Sequence, residues 1–210
     1  MKTVIFDFDG TIADSLPAIY EVVNEVLATN KYPQIKKEEI LNLREKSSIR
    51  ILKESGIAFF RLPFMFIQGQ KIFKKKVSTI KPIEGIVDVI NNLKKEGYLI
   101  GIITSNSKES VEIFLEKYNF PKINFLYTGS LFGKEKAIKR GLREQKIDPR
   151  SVIYIGDEIR DIKACKKAGI RCIAVTWGFN SEESLKNEKP YYTVSKPEEL
   201  PEIIKSATLN

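Results

Sequence analysis

Val4-Ile5-Phe6-Asp7-Phe8-Asp9-Gly10-Thr11 is the stretch that decides the fold of this chain. Its apolar, β-branched beginning predicts a buried strand, and the aspartates, glycine and threonine that follow predict a loop. In open parallel sheets ligands bind beyond the carboxyl ends of the strands, so Asp7 and Asp9 are expected where chemistry is done. Because adjacent buried carboxylates are costly without a partner, the stretch predicts a site that also holds something cationic.

The rest of the chain divides into a helical block and a regular alternation of strands and helices. Between Asp14 and Thr79 apolar residues recur at helical spacing without a strand pattern. A block of roughly 65 residues is too long for an ordinary crossover. We therefore predict an α/β core, residues 1–14 and 80–210, with a small all-helical cap domain, residues 15–79, inserted after the first strand.

The core is expected to be a Rossmann-like parallel sheet with helices on both faces, because strands and helices alternate after the helical block. Further strands are predicted at residues 98–103, 125–128, 152–155 and 172–175. Helices are predicted at residues 15–30, 37–55, 59–77, 84–96, 107–118, 134–145, 159–168 and 197–205.

Composition and charge favour a globular protein over a disordered or membrane-spanning one. The 210 residues are 42% hydrophobic and 30% charged, as in globular proteins. The net charge of +8 could indicate nucleic acid or an anionic substrate, but the lysines are scattered along nearly every predicted helix, which favours a solvated surface. No apolar run approaches the roughly 20 residues that span a bilayer. We expect a cytoplasmic monomer or homodimer without nucleic-acid or membrane partners.

Polar clusters follow three of the predicted strands. They are Asp7 with Asp9, Thr104 with Ser105, and Asp157 with Glu158 and Asp161. Any one cluster could be loop or cap chemistry, and Thr104-Ser105-Asn106 alone is typical of a helix-capping turn. Three clusters after successive strands favour one shared site.

The carboxylates of this site predict phosphoryl chemistry. Asp7, Asp9 and Asp157 are hard oxygen donors that suit Mg²⁺ together with a phosphate. An aspartate can attack phosphorus while the metal screens its charge from an anionic substrate. Since the chain has no histidine, Asp9 is the natural group to protonate the leaving oxygen and to activate water. Ser105 could donate to a phosphate oxygen, and Lys134 or Lys136 could neutralise charge.

Four stretches resemble, in order, the signatures of the haloacid-dehalogenase-like hydrolase superfamily. They are Asp-Phe-Asp-Gly-Thr-Ile-Ala-Asp-Ser at 7–15, Ile-Thr-Ser-Asn at 103–106, Phe-Gly-Lys at 132–134 and Gly-Asp-Glu-Ile-Arg-Asp at 156–161. The first is fairly specific and the last is weak alone, but the ordered set covers nearly the whole chain. The resemblance implies the predicted core and Mg²⁺ as cofactor.

The first signature then implies two different roles for its aspartates. Asp7 matches the nucleophile, and Asp9 matches the acid/base residue, with its main-chain carbonyl on Mg²⁺. Gly10 and Thr11 are supporting members of the same signature. Asp157 matches the acidic metal ligand.

The remaining signatures imply the phosphate-binding groups. Ser105 best matches the phosphate-binding hydroxyl and is followed by Asn106, although Thr104 is a competitor. Lys134 matches the lysine that steadies nucleophile and phosphate, with Lys136 as the alternative. The second acidic residue, Asp161, is expected to act through water or the lysine.

The helical insertion resembles the subgroup of phosphoglycolate phosphatases and β-phosphoglucomutases. We therefore expect a magnesium-dependent, phosphoglycolate phosphatase-like enzyme that hydrolyses a small phosphomonoester, a phosphorylated metabolite, through an aspartyl phosphate. The alternatives are a sugar-phosphate mutase and a non-catalytic binding protein on the same fold.

Two groups of residues in the predicted cap have more than one interpretation. Arg44, Lys46 and Arg50 could bind a substrate anion, but helix-surface solvation is the favoured interpretation. The aromatic cluster at residues 59–66 is expected to pack within the cap or against the core, with a dimer contact or substrate wall as the alternative.

Overall fold

Strand β1 (Thr3–Phe6) lies in the middle of a parallel sheet. The computed structural model describes residues 2–129 and 133–207. The other strands in these ranges are β2 (Leu99–Thr104), β3 (Phe125–Thr128), β4 (Val152–Gly156), β5 (Arg171–Val175) and β6 (Tyr192–Val194). Their order is β3-β2-β1-β4-β5-β6, and every neighbouring pair is parallel.

The register brings the carboxyl ends of the three central strands level. Phe6, the last residue of β1, is aligned with Ile102 of β2 and with Ile155 of β4. The amide of Asp7 still donates to the carbonyl of Ile155 at 2.8 Å. The segments that follow β1, β2 and β4 therefore leave the sheet at one edge, as the sequence predicts.

Residues 15–79, here called the helical insert, contain only helices and loops in the structure. The α-helices are α1 (Leu16–Thr29), α2 (Ile40–Arg44), α3 (Ser48–Glu54) and α4 (Leu62–Lys76). The two connections to the core lie side by side, because the amide of Asp14 donates to the carbonyl of Lys81 and that of Ile83 to Ile12, both at 2.9 Å. This arrangement suits the predicted domain division at residues 15–79, which stays a proposal.

Helices cover both faces of the sheet, as expected for the predicted α/β fold. They are α5 (Ile86–Lys95), α6 (Lys108–Lys117), α7 (Lys134–Glu144), α8 (Ile159–Ala168), α9 (Glu182–Asn187) and α10 (Leu200–Ala207). Successive strand residues point to opposite faces. Accordingly Phe6 belongs to a core cluster with Ile90 of α5, whereas Ile5 belongs to a second cluster with Ile138 of α7.

Helix α9 and strand β6 were not predicted from the sequence. The strand has only three residues and lies at the edge of the sheet, where Tyr192 is 42% exposed, so it lacks the apolar run of a buried strand. The helix has six residues, of which five are polar or charged, so it shows no apolar face of useful length. Elements this short lie below the length at which periodicity is informative.

The single helix predicted at residues 37–55 is wrong. A short 3₁₀ turn (Lys37–Glu39) leads into α2, which ends at Arg44, and α3 begins only after Ser47. The Ser47 hydroxyl accepts the amide of Arg50 at 3.3 Å. This N-cap gives Ser47 an extended backbone and so starts a new helix.

The expected burial of the aromatic cluster is also wrong for most of its members. Phe59, Phe60 and Phe64 are 71%, 82% and 67% exposed, whereas Met65 is buried on the face of α4 that packs against α1. Phe59 and Phe60 lie in the short 3₁₀ turn before α4 (Phe59–Arg61), and Phe64, in the first turn of α4, is directed away from its buried face. No helix in the described ranges combines the length and apolarity needed to cross a bilayer.

Candidate active site

Asp7 and Lys134 form the buried centre of the candidate site. Asp7 follows β1, Lys134 is the first residue of α7, and their side chains are only 2% and 7% exposed. The ammonium of Lys134 is ion-paired with the carboxylates of both Asp7 and Asp161. Lys136, the alternative considered from the sequence, lies on the exposed surface of the same helix. Phe132, quoted with Lys134 in the third signature, lies outside the described residues.

The electrostatics of this cluster reflect two carboxylates sharing one ammonium. Burial, opposed by Lys134 and reinforced by Asp161, raises the pKa of Asp7 to about 7. Burial alone would lower the pKa of Lys134, but Asp161 and Asp7 outweigh it and hold that pKa above its ordinary value. Lys134 is therefore charged, and its single ammonium is shared by two buried carboxylates.

Asp157 follows β4, and its carboxylate accepts hydrogen bonds from the loop after β1 and from the loop after β5. The Thr11 hydroxyl donates to one carboxylate oxygen at 2.7 Å, and the amide of Phe179 donates to the other at 2.8 Å. Gly10 has a φ of +70°, and a Cβ added there would lie 2.3 Å from the Asp157 carboxylate. Gly10 and Thr11 thus shape the environment of Asp157, and any side chain at position 10 would collide with it.

The carboxylates of this centre fit a divalent cation. Oxygen atoms of Asp7, Asp157 and Asp161 lie within 4.8 Å of one another, and all three residues are buried. Burial, together with the negative charges of Asp7, Glu158 and Asp161, raises the pKa of Asp157 well above its usual range. Asp161 is already engaged by Lys134 and by the amide of Glu158 at 3.1 Å. Asp7 and Asp157 also have protein partners, and the three side chains together offer hard oxygen donors of the kind that suits Mg²⁺.

Asp9 is not among the three clustered carboxylates, and its side chain contacts the segment after β2. Its half-buried carboxylate accepts the side-chain amide of Asn106 at 3.3 and 3.4 Å. Burial raises its pKa, against hydrogen bonding from Asn106 and the charge of Arg160. A raised pKa favours the protonated form that a general acid requires. Its predicted metal contact was through the main-chain carbonyl, which the side-chain cluster does not test.

The two hydroxyls considered for phosphate binding occupy different surroundings. Thr104 is 1% exposed, and its hydroxyl accepts the amide of Asn106 at 2.9 Å. Ser105 is half-buried, and its hydroxyl accepts a hydrogen bond from Nη2 of Arg160 at 3.3 Å. The Ser107 hydroxyl, which accepts the amide of Ser110 at 3.2 Å, caps α6 instead. Ser105 is thus the more accessible of the two hydroxyls.

The structure also places side chains at the site that sequence reasoning missed. Arg160 is almost buried and pairs with Glu158 at 2.6 Å. Asn180 is fully buried in the loop after β5, and its side-chain oxygen accepts the amide of Ile159 at 2.8 Å. Asn180 carried a usable signal, because it belongs to a further polar segment that follows a predicted strand. Arg160 could not be found from the sequence, because a single arginine in the first turn of a predicted helix is typical of a solvated surface.

The cationic residues of the helical insert are engaged by protein groups. Arg44 donates to the carbonyls of Phe179 at 3.0 Å and Gly178 at 3.2 Å. Lys46 and Arg50 both pair with Glu54. These contacts favour the structural interpretation of these cations over anion binding.

Comparisons with known proteins agree with the geometry. The sequence model of a family described as haloacid dehalogenase-like hydrolase matches residues 4–175. A phosphoglycolate phosphatase of Synechococcus elongatus is 29% identical over 202 residues, covering 95% of both chains. An N-acetylmuramic acid 6-phosphate phosphatase of Pseudomonas putida is 22% identical, covering 99% of this chain and 97% of that protein. The crystal structure of a predicted phosphatase from Clostridium acetobutylicum superposes with a TM-score of 0.84 at 24% identity, covering 98% of each chain.

Proposed function

This chain belongs to the haloacid dehalogenase-like hydrolase family, and on that premise we propose that it is a magnesium-dependent phosphatase of small phosphomonoesters. The family and the α/β fold predicted from the sequence are confirmed. The observation that carries the proposal is the buried cluster in which Lys134 pairs with Asp7 and Asp161 beside Asp157. Such a cluster offers a nucleophile, a fixed positive charge and oxygen ligands for a cation in one place.

In the proposed reaction Asp7 and Asp9 act in turn. Mg²⁺ held by Asp7, Asp157 and the main-chain carbonyl of Asp9 would supply positive charge next to the phosphate. A carboxylate oxygen of Asp7 attacks phosphorus, and the bond to the ester oxygen breaks as Asp9 gives that oxygen its proton. Asp9, now a carboxylate, takes a proton from water, whose oxygen attacks phosphorus and breaks the bond to Asp7. Phosphate leaves, and both aspartates return to their starting states.

Lys134 and Ser105 are proposed to hold the phosphoryl group during these steps. The ammonium of Lys134 already contacts the Asp7 carboxylate, so it lies where charge develops in both displacements. Ser105 projects from the same edge of the sheet after β2, while Thr104 is turned inward. Asp161 fixes the position of Lys134 without needing to touch substrate.

A phosphoglycolate phosphatase-like activity is the proposed substrate assignment. It rests on the relative from Synechococcus elongatus, with which this chain aligns over 95% of both lengths. The N-acetylmuramic acid 6-phosphate phosphatase among the relatives shows that similar chains carry names for larger substrates. A cytoplasmic location and a monomeric or homodimeric state stay predictions.

The test is a phosphate-release screen with Mg²⁺ over a panel of phosphorylated metabolites that includes 2-phosphoglycolate and sugar phosphates. We expect free phosphate to appear in step with substrate loss, and Asp7→Asn to abolish it. Asp88→Asn, which removes a carboxylate from the exposed face of α5, is the matched control and should retain turnover. Conversion of a sugar phosphate without phosphate release would identify a mutase instead. Undiminished turnover by Asp7→Asn would contradict the nucleophile assignment.

A further inference from the structure

Arg160 links two sides of the candidate site. It is the second residue of α8, which follows β4, and its Nη2 donates to the hydroxyl of Ser105, which follows β2, at 3.3 Å. Because β1 lies between β2 and β4, a side chain that joins these two segments crosses the end of β1. Asp7 lies at that end. Arg160 therefore spans the place where the phosphoryl group would bind.

The guanidinium of Arg160 is held in this position by an ion pair with Glu158. Its Nη2 is 2.6 Å from the carboxylate of Glu158, and the two side chains are only 10% and 12% exposed. Buried charges are costly unless they are paired, and a guanidinium paired with a carboxylate is well oriented. The charge of Arg160 also lowers the pKa values of Asp7 and Asp9, which places it within electrostatic reach of both.

The contact with Ser105 has a defined direction. A guanidinium has donors and no acceptor, so the Ser105 oxygen must be the acceptor in this hydrogen bond. A hydroxyl has a single proton to donate. That proton is consequently left for another oxygen, and a hydroxyl that accepts from a charged donor becomes a stronger donor itself.

We propose that Arg160 is a positioning residue for Ser105, fixing its hydroxyl so that the proton is directed at a non-bridging oxygen of the substrate phosphate. The inference rests on the proposed phosphatase function. It gives the Glu158–Arg160 pair a task that neither residue type would show in sequence. It also assigns a role in the reaction to a residue between the two aspartates of the last signature.

A double-mutant cycle on hydrolysis of p-nitrophenyl phosphate with Mg²⁺ tests this inference. Arg160→Gln and Ser105→Ala should each lower kcat/KM by roughly tenfold to a hundredfold, the range for losing a hydrogen bond to a charged group. If Arg160 acts through Ser105, the double variant should be within about twofold of Ser105→Ala. Arg160→Lys should recover part of the loss. The inhibition constant of inorganic phosphate should follow the same non-additive pattern.

The controls separate positioning from folding. Arg150→Gln removes the same charge from a side chain that is 90% exposed and should leave the kinetics unchanged. If Arg160→Gln fails to fold because Glu158 is left unpaired, the double variant Glu158→Gln with Arg160→Gln removes both charges and takes its place in the cycle.

Three outcomes would overturn the inference. Additive losses in the double variant would mean that Arg160 acts independently of Ser105, and unchanged kinetics for Arg160→Gln would mean that it does not act. In both cases the wild-type enzyme still turns over, so the proposed function stands. No hydrolysis by the wild-type protein of this substrate or of any phosphomonoester in the metabolite panel would remove the proposed function and this inference together.

Discussion

The side chain of Lys134 connects the chemistry of the site to its stability. It is ion-paired with both Asp7 and Asp161 at a position where each of the three side chains is less than a tenth exposed. Breaking a buried ion pair by removing one partner leaves an uncompensated charge, whereas the intact pair contributes little by itself. The same lysine is thus required for the proposed reaction and for burying two carboxylates.

Replacing Lys134 by alanine should lower the free energy of unfolding by about 3–5 kcal/mol at neutral pH without added metal, because both aspartates lose their counter-charge. Urea denaturation measures this difference. Lys136→Ala, two residues along the same helix but exposed, is the matched control and should change little. Equal unfolding free energies for the two variants would contradict the assignment of Lys134 as the buried cation.

For single residues, the sequence predicted which side chains lie at the carboxyl edge of the sheet, but not which side chains contact one another there. Asp7 and Asp157 were predicted to meet because both follow strands of one parallel sheet, and the structure brings them together. The sequence could not show that Lys134 rather than Lys136 reaches Asp7, because this depends on which face of α7 packs against the sheet. The reach of Arg160 across β1 depends on strand order, which no local pattern encodes.

Among the secondary-structure elements, the loop between β5 and α9 joins the helical insert to the core. The side-chain amide of Asn180 donates to the carbonyls of Arg44 at 2.7 Å and Lys46 at 2.9 Å. Its oxygen accepts the amide of Ile159 at the start of α8. The preceding residue, Phe179, donates to Asp157. The position of the insert is therefore coupled to the helix and the carboxylate that would hold the metal.

Asn180→Ala should lower the free energy of unfolding by about 2 kcal/mol, because the buried amide of Ile159 and the half-buried carbonyl of Lys46 lose this partner, whereas the carbonyl of Arg44 still accepts the amide of Ser181. It should also speed proteolytic cleavage near residues 44–47, where the insert loses two of its hydrogen bonds to the core. Asn187→Ala on the exposed side of α9 is the control. Denaturation and protease resistance equal to that control would show that Asn180 does not secure the insert.

Prediction of elements succeeded where the segments were long and strongly patterned. The strands β2, β4 and β5 and the helices α1, α6 and α8 lie close to their predicted ranges. The break between α2 and α3 was missed because Ser47 acts through its side-chain hydrogen bond rather than through hydrophobic pattern. Strand β6 is too short to be recognised by its own sequence pattern and forms by backbone pairing with β5, in which Val194 is aligned with Val175. Such elements depend on tertiary contacts.

For the whole molecule, the buried carboxylates predict a metal-linked pH dependence of stability. The pKa of Asp7 is about 7 in the folded protein, above its ordinary value near 3.8. Between these values the folded state binds more protons than the unfolded state, so this group's contribution to stability falls as pH rises toward and through 7. The raised pKa of Asp157 acts in the same direction.

Mg²⁺ should offset this loss, because it binds the deprotonated carboxylates. We expect the increase in Tm on adding Mg²⁺ to be clearly larger at about pH 8 than at about pH 5.5. Thermal unfolding with Mg²⁺ and with a chelator measures it, and Asp157→Asn should reduce the effect. A Mg²⁺-induced increase that is equal at both pH values would contradict a site built on these aspartates.

In the proposed reaction Asp7 becomes covalently phosphorylated during each turnover. The most direct measurement is rapid acid quenching of the enzyme during turnover of a phosphomonoester, followed by peptide mass spectrometry. We expect the added mass of one phosphoryl group on the peptide that contains Asp7, removable by hydroxylamine and absent from Asp7→Asn. Turnover that accumulates no such adduct under single-turnover conditions, or an adduct on a different residue, would contradict it.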